Sequence, residues 1–132
     1  MNNNKYTNLA IFPLNGAILF PKSNLPLNIF EERYIEMIDY ALSTNKKIGM
    51  IQLNENKNDL YDIGCVGKIT SFQETDDGRY LINLFGLKHF KKIKEVKSNK
   101  KFRMLQVEEK NNFLNNESLN KFFDDKSFLL KK

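Results

Sequence analysis

Cys65 and His89 are the only cysteine and the only histidine in the chain. Together they are the one pair that could form a thiol–imidazole nucleophile, in which a base activates a thiolate. Cys65 lies in a glycine-flanked apolar run, Ile63-Gly64-Cys65-Val66-Gly67, where a small buried thiol is the simpler role. One His and one distant Cys fall short of the three or four ligands of a usual metal site. Adjacent carboxylates occur at Glu31/Glu32, Asp76/Asp77, Glu108/Glu109 and Asp124/Asp125. Neighbours in a strand or helix point in different directions, so these pairs are expected on solvated faces or turns. No G-x-x-x-x-G-K-[ST] phosphate loop and no G-x-S-x-G nucleophile elbow is present. The expectation is a binding module, not an enzyme, with no cofactor.

The remaining chemistry lies in charge. The net charge of +5 is unevenly placed. Residues 1–86 hold eight basic and ten acidic side chains, and residues 87–132 hold thirteen and six. Most of the excess lies in 88–103, where Lys91, Lys92, Lys94, Lys101 and Arg103 are candidate contacts to nucleic-acid phosphates. Against this, lysines outnumber arginines eighteen to three and there are eighteen asparagines. That bias suits an AT-rich genome filling exposed positions. Bidentate phosphate or base recognition favours arginine.

These side chains need a scaffold. The 132 residues are one domain's worth, with 41% hydrophobic and 28% charged residues. Eleven Phe and five Tyr supply core material. No run approaches the roughly 18 apolar residues of a membrane span, and no signal-peptide core follows Met1. With a single cysteine, the expected location is the cytoplasm.

Leu9–Leu14 reads as a short buried or edge strand ending near Pro13, with a turn at Asn15-Gly16. Ala17–Pro21 and Leu25–Phe30 read as two more short strands. From Glu31 the period changes to a helix, with Tyr34, Ile35, Ile38, Ala41 and Leu42 on one side and Glu32, Arg33, Glu36, Asp39 and Tyr40 on the other. Ile48–Leu53 is a buried strand and Asn54–Asp62 a polar loop. Ile63–Phe72 is a strand whose glycines suggest a bulge or a close backbone approach. Thr75–Arg79 is a hairpin turn built on Asp77-Gly78. Tyr80–Phe85 is the partner strand, and Gly86 is expected to end it. Lys88–Val96 and Lys101–Glu109 are further strands. The segment 111–132 has loose helical spacing at Leu119, Phe122, Phe123, Leu129 and Leu130. The fold class is therefore α+β, predominantly β, as a small, partly closed barrel.

Several of these pieces occur together in a known order. Ile11-Phe12-Pro13-Leu14, Leu19-Phe20-Pro21, Leu25-Pro26-Leu27 and Ile29-Phe30-Glu31 with Arg33-Tyr34 resemble the opening of the N-terminal substrate-binding domain of Lon proteases. Ile63–Gly67 resembles that family's I-G-x-V-G/A strand. Asp77-Gly78-Arg79 and Gly86-Leu87-Lys88-His89-Phe90 resemble its D-G-R hairpin and G-x-x-R-F-x-I strand, except that Lys88-His89 stands where arginine is more usual. The resemblance spans about residues 9–110. It implies a six-stranded PUA-like pseudo-barrel with one flanking helix. Residues 1–8 would be a flexible N-terminus, and 111–132 a tail or the start of a helical subdomain.

It resembles the stand-alone bacterial proteins of this kind, without the ATPase or Ser–Lys protease domains. It thus implies recognition of unfolded or degron-bearing polypeptides, with a separate protease as a further partner. The peptide-binding candidates are Phe20, Pro21, Leu27 and Phe30 as apolar lining, and Glu32, Arg33 and Glu36 as charged contacts. Core packing is the competing role for the first four, a structural ion pair for Arg33, and a solvated helix face for the two glutamates. The alternative function is RNA binding through the basic 88–103 segment, by analogy with the PUA-like fold.

Overall fold

Leu9, Ala10, Ile11 and Phe12 are consecutive and all buried, so the first strand has both faces covered. In the computed structural model, which describes residues 6–110, this strand is β1 (Tyr6–Pro13). It is an interior strand, not an edge. It pairs parallel with β3 (Lys47–Ile51) and antiparallel with β8 (Arg103–Lys110). Pro13 is tolerated because it is the last residue of the strand, opposite Ile51. Strand β1 begins at Tyr6, three residues before the expected domain boundary, because Tyr6, Thr7 and Asn8 each have a partner on β8.

The parallel β1–β3 pair requires a crossover. It is made by β2 (Asn24–Ile29) and α1 (Glu32–Leu42). Two-residue strands β4 (Leu53–Asn54) and β5 (Asp59–Leu60) then form a small hairpin. The segment expected as a polar loop thus carries a hairpin that buries Leu60. Strands β6 (Ile63–Glu74) and β7 (Tyr80–Val96) form the long hairpin, with Gly78 at φ 87° in its turn. The six strands run in the order β2-β7-β6-β3-β1-β8, and a β7–β8 pairing closes five of them into a ring. The α+β, mainly β architecture agrees with the sequence. Strand β2 lies at the sheet edge, where Pro26 costs no interior ladder bond.

Two apolar layers occupy opposite faces of these strands. Leu9, Ile11, Val66, Phe90, Leu105 and Val107 form one. Ala10, Phe12, Ile48, Met50, Cys65 and Met104 form the other, which packs against Met37, Ile38 and Ala41 of α1. Met37 is therefore part of the helix's buried stripe. Tyr40, expected on its solvent side, packs its ring 5.5 Å from that of Phe102. The helix ends where the Ser43 and Thr44 hydroxyls donate to the Tyr40 carbonyl and Lys46 takes φ 63°.

Two expectations fail for one reason. Ala17–Pro21 is not a strand, and Gly86 does not end one. Residues 20–23 form a tight turn, with Lys22 at φ 68° and the Ser23 hydroxyl donating to the Phe20 carbonyl at 2.7 Å. That turn docks on mid-strand Gly86. Lys22 N–H donates to the Gly86 carbonyl, and Gly86 N–H donates to the Ser23 carbonyl, both at 2.8 Å. A Cβ on Gly86 would lie 2.0 Å from the Phe20 carbonyl oxygen, so glycine serves here for close approach. The expected tail at 111–132 and the first five residues lie outside the described residues.

Candidate functional site

Docking of the 20–23 turn leaves a hollow beside it. A cleft of about 390 Å³ lies between Ile18–Phe20, the end of β3, the β4–β5 hairpin, the start of β6, and His89 and Lys92 of β7. Its apolar wall is Ile18, Leu19, Met50, Ile63 and Cys65, with Phe20 at 41% exposure. The buried Gln52 amide donates to the Ala17 carbonyl and holds the 17–20 segment in place. Lys92 holds the hairpin from the other side. Its backbone N–H donates to the Asp62 carbonyl at 2.7 Å, and its ammonium lies 3.4 Å from Asp59 Oδ2. Gly64 lets β6 pass close to β3. A Cβ there would lie 2.5 Å from both the Met50 carbonyl oxygen and the Phe90 ring. The glycine-rich strand thus makes the close approach expected, and its register shifts between Val66 and Gly67.

Met50, Cys65 and His89 are successive cross-strand partners on β3, β6 and β7, and all three line the cleft. Burial pushes the Cys65 thiol up to about 12, with the Leu87 backbone hydrogen bond acting weakly the other way. Burial also holds the His89 imidazole below its ordinary value. Both are therefore neutral near pH 7. A neutral thiol beside a neutral imidazole is not the activated pair that nucleophilic catalysis requires. Among the described residues no group of three His, Cys, Asp or Glu side chains is placed to hold a metal ion. What the cleft can do is take up apolar surface and offer hydrogen bonds.

The candidate residues do not converge on this cleft. Phe20 lines it, and half-buried Pro21 sits in the docked turn over Gly86. Leu27 is half-buried against the α1-side core. Phe30 is 69% exposed just before α1. Glu32 accepts from the Lys101 ammonium at 2.8 Å, which holds its carboxyl below the usual range. Arg33 pairs with Glu31 at 3.3 Å and stacks 4.9 Å over the Tyr34 ring. It lines a separate hollow of about 250 Å³ with Pro13, Tyr34, Lys101, Phe102 and Arg103. Glu36 is half-buried on α1. The sequence reading did not single out Ile18, Gln52, Ile63 or Lys92's role in the cleft wall. No local pattern marks them, because the cleft exists only through pairing of distant segments.

The RNA-binding alternative is not supported. Of its five cations, Lys92 pairs with Asp59, Lys101 with Glu32, and Arg103 with Glu95 through two hydrogen bonds of 2.8 and 3.0 Å. Arg103 is also 4.0 Å from Asp59. Only Lys91 and Lys94 among the five lack a carboxylate partner among the described residues. Sequence counting registered the cations as a stripe, but folding brings carboxylates from 31–59 against it.

Comparison with known proteins places this geometry. The model of the ATP-dependent protease La (LON) substrate-binding domain matches residues 8–131. The Lon protease of Flavobacterium johnsoniae is 32% identical over 116 residues, covering 83% of this chain and 14% of that protein. Lon protease 1 of Bdellovibrio bacteriovorus is 33% identical over 87 residues, covering 61% of this chain and 11% of that protein. The chain thus spans only a small part of the length of these relatives. The crystal structure of a Lon N-terminal domain protein from Xanthomonas campestris superposes with a TM-score of 0.66 at 22% identity, covering 93% of this chain and 75% of that one. The N-terminal domain of a Mycobacterium avium complex Lon protease gives 0.67 at 13% identity, covering 94% and 66%. At such identities the structural likeness speaks for the fold. The family match across most of the chain speaks for kinship, and this protein belongs to the Lon substrate-binding domain family.

Proposed function

We propose that this domain is a non-catalytic polypeptide-recognition module that holds unfolded or degron-bearing segments for a protease in the cytoplasm. The observation that carries the reading is the cleft between Ile18–Phe20 and the β4–β5 hairpin. It combines an apolar wall with a few convergent polar groups, which is the general form of a recognition site. Phe20 offers a partly exposed aromatic ring at its edge, the residue class that anchors peptide contacts. Leu27 and Phe30 are secondary contacts in this reading, and Glu32, Arg33 and Glu36 contribute on the α1 side, outside the cleft.

Fluorescence anisotropy with a labelled unfolded-protein peptide tests it. The expected result is saturable binding that changes little between about 50 and 200 mM salt, in contrast to the steep loss of a phosphate-neutralising interaction. Phe20→Ala should weaken binding about tenfold, the scale of a single anchor residue. The reading is abandoned if the folded protein binds no unfolded or aromatic-rich peptide at high micromolar concentration.

A further inference from the structure

The cleft has a chemical preference of its own. Its floor places two sulfur-bearing side chains, Met50 and Cys65, in adjacent cross-strand positions beside Leu19 and Ile63. Sulfur contacts to aromatic ring edges are favourable. On the next strand, His89 stands directly opposite Cys65. Its imidazole is half-buried, faces the same cleft, and has no hydrogen-bond partner among the described residues. The charged residues of the lining are two lysines, Lys57 and Lys92, and two aspartates, Asp59 and Asp62, so it favours neither sign of charge. A volume of about 390 Å³ is near the lower end for ligand sites, which suits one large side chain and its flanking backbone.

We infer that the cleft selects an uncharged polypeptide segment carrying a tyrosine, whose ring lies against Met50 and Cys65 and whose hydroxyl hydrogen-bonds to the His89 imidazole. Tyrosine joins an apolar body to a polar tip that seeks a partner when buried. It supplies what the floor and His89 each lack. Phenylalanine fills the floor but leaves His89 unsatisfied, and a carboxylate would lose its hydration against an apolar floor whose rim charges balance. This inference rests on the polypeptide-binding reading and adds a substrate class to it. His89 acts as a specificity residue.

The test is a set of labelled peptides with neutral flanks and Tyr, Phe, Leu or Glu at one central position, titrated at pH 7.5 against the full chain. The expected order is Tyr, then Phe, then Leu, with Glu weakest. The Tyr-to-Phe ratio should be about three- to tenfold, the worth of one hydrogen bond. His89→Ala should remove that ratio, and His89→Gln, which keeps a donor and acceptor, should restore much of it. Acidification from pH 7.5 to 5.5 should weaken the Tyr peptide in the wild type and leave His89→Gln unchanged, because a buried ring opposes protonation of the imidazole. The other titratable or charged groups around His89, among residues whose side chains are described, are Cys65 on β6, Lys88 and Lys91 on its own strand, Tyr61, and the four cleft residues named above. The His89→Gln control separates their titration from its own.

Equal binding of Tyr and Phe peptides to the wild type overturns the inference and leaves polypeptide binding standing, with no variant needed. A preference that survives His89→Ala does the same, as does tightest binding by the Glu peptide. Peptide affinity that weakens as protein concentration rises indicates a second copy of the chain in the cleft and also overturns it. No binding by any peptide removes the underlying reading as well.

Discussion

Gly86→Ala is expected to damage this domain more than its chemistry suggests. The residue is buried mid-strand in β7 and has ordinary extended backbone, so no left-handed conformation is at stake. The cost is steric. The new methyl would lie 2.0 Å from the Phe20 carbonyl oxygen, 2.7 Å from its carbon and 3.2 Å from Pro21 Cα. All three are backbone atoms, so no side-chain rotation relieves the clash. Overpacking of this kind costs about 1–3 kcal/mol. If the turn moves away instead, two backbone hydrogen bonds of 2.8 Å are lost, each worth about 1 kcal/mol net. With backbone contacts this short the first route lies at the upper end of its range, so either route gives about 2–3 kcal/mol, or a fall of ~6–12 °C in Tm for a domain of this size. Urea unfolding with the m value compared between proteins measures it. Gly16→Ala is the control. It stands at φ 85° with nothing within 4 Å of its added methyl, so it should cost only the left-handed penalty of about 1–2 kcal/mol. Because the 20–23 turn carries Phe20 to the cleft, any folded Gly86→Ala protein should also bind peptide more weakly, while Gly16→Ala should not. A Gly86→Ala protein no less stable than Gly16→Ala would refute the close-approach argument.

Two further outcomes follow from the buried and paired groups. Cys65, pushed up to about 12 by burial, should resist a thiol-specific disulfide reagent at pH 8 in the native protein and react fully once unfolded in urea. Rapid stoichiometric labelling of the native protein would contradict the structure. Glu95 is held below its ordinary value chiefly by hydrogen bonds from Arg103. Its folded value is depressed, so its contribution is present above the unfolded value near 4.5 and is lost as pH falls through the lower folded value. Both side chains are more than a third exposed, which limits the pair to less than about 1 kcal/mol. Glu95→Gln should therefore lower stability slightly at pH 7 and flatten its decline below pH 4.5, as read by urea midpoints across pH.

Much of the frame was legible in the residues alone because it rests on local rules. Asp77-Gly78 specifies a turn that needs a positive φ, and the structure has it. The period change after Glu31 specifies α1, and the glycines of 63–67 specify a close approach and a bulge. The ordered string from Ile11 to Tyr34 identified the family. Open alternatives and misreadings occurred where a residue's role depends on a distant segment. Pro13 left a buried and an edge strand both open, and only β8 on the other side of β1 decides for the interior. The basic stripe looked free, but carboxylates far earlier in the chain meet it.

The division has one physical cause. Backbone propensity, hydrophobic period and turn chemistry act over a few neighbouring residues, so the α1 helix, the Asp77-Gly78 turn, the strands around it and kinship were determined by the sequence itself. The cleft was not. It arises because the turn at 20–23 lands on Gly86, the Asp59 hairpin is tied to Lys92, and Met50, Cys65 and His89 fall into one cross-strand row. Those contacts join segments tens of residues apart. Their register is set by closure of the sheet and the filling of its two apolar layers, and only the tertiary structure decided them.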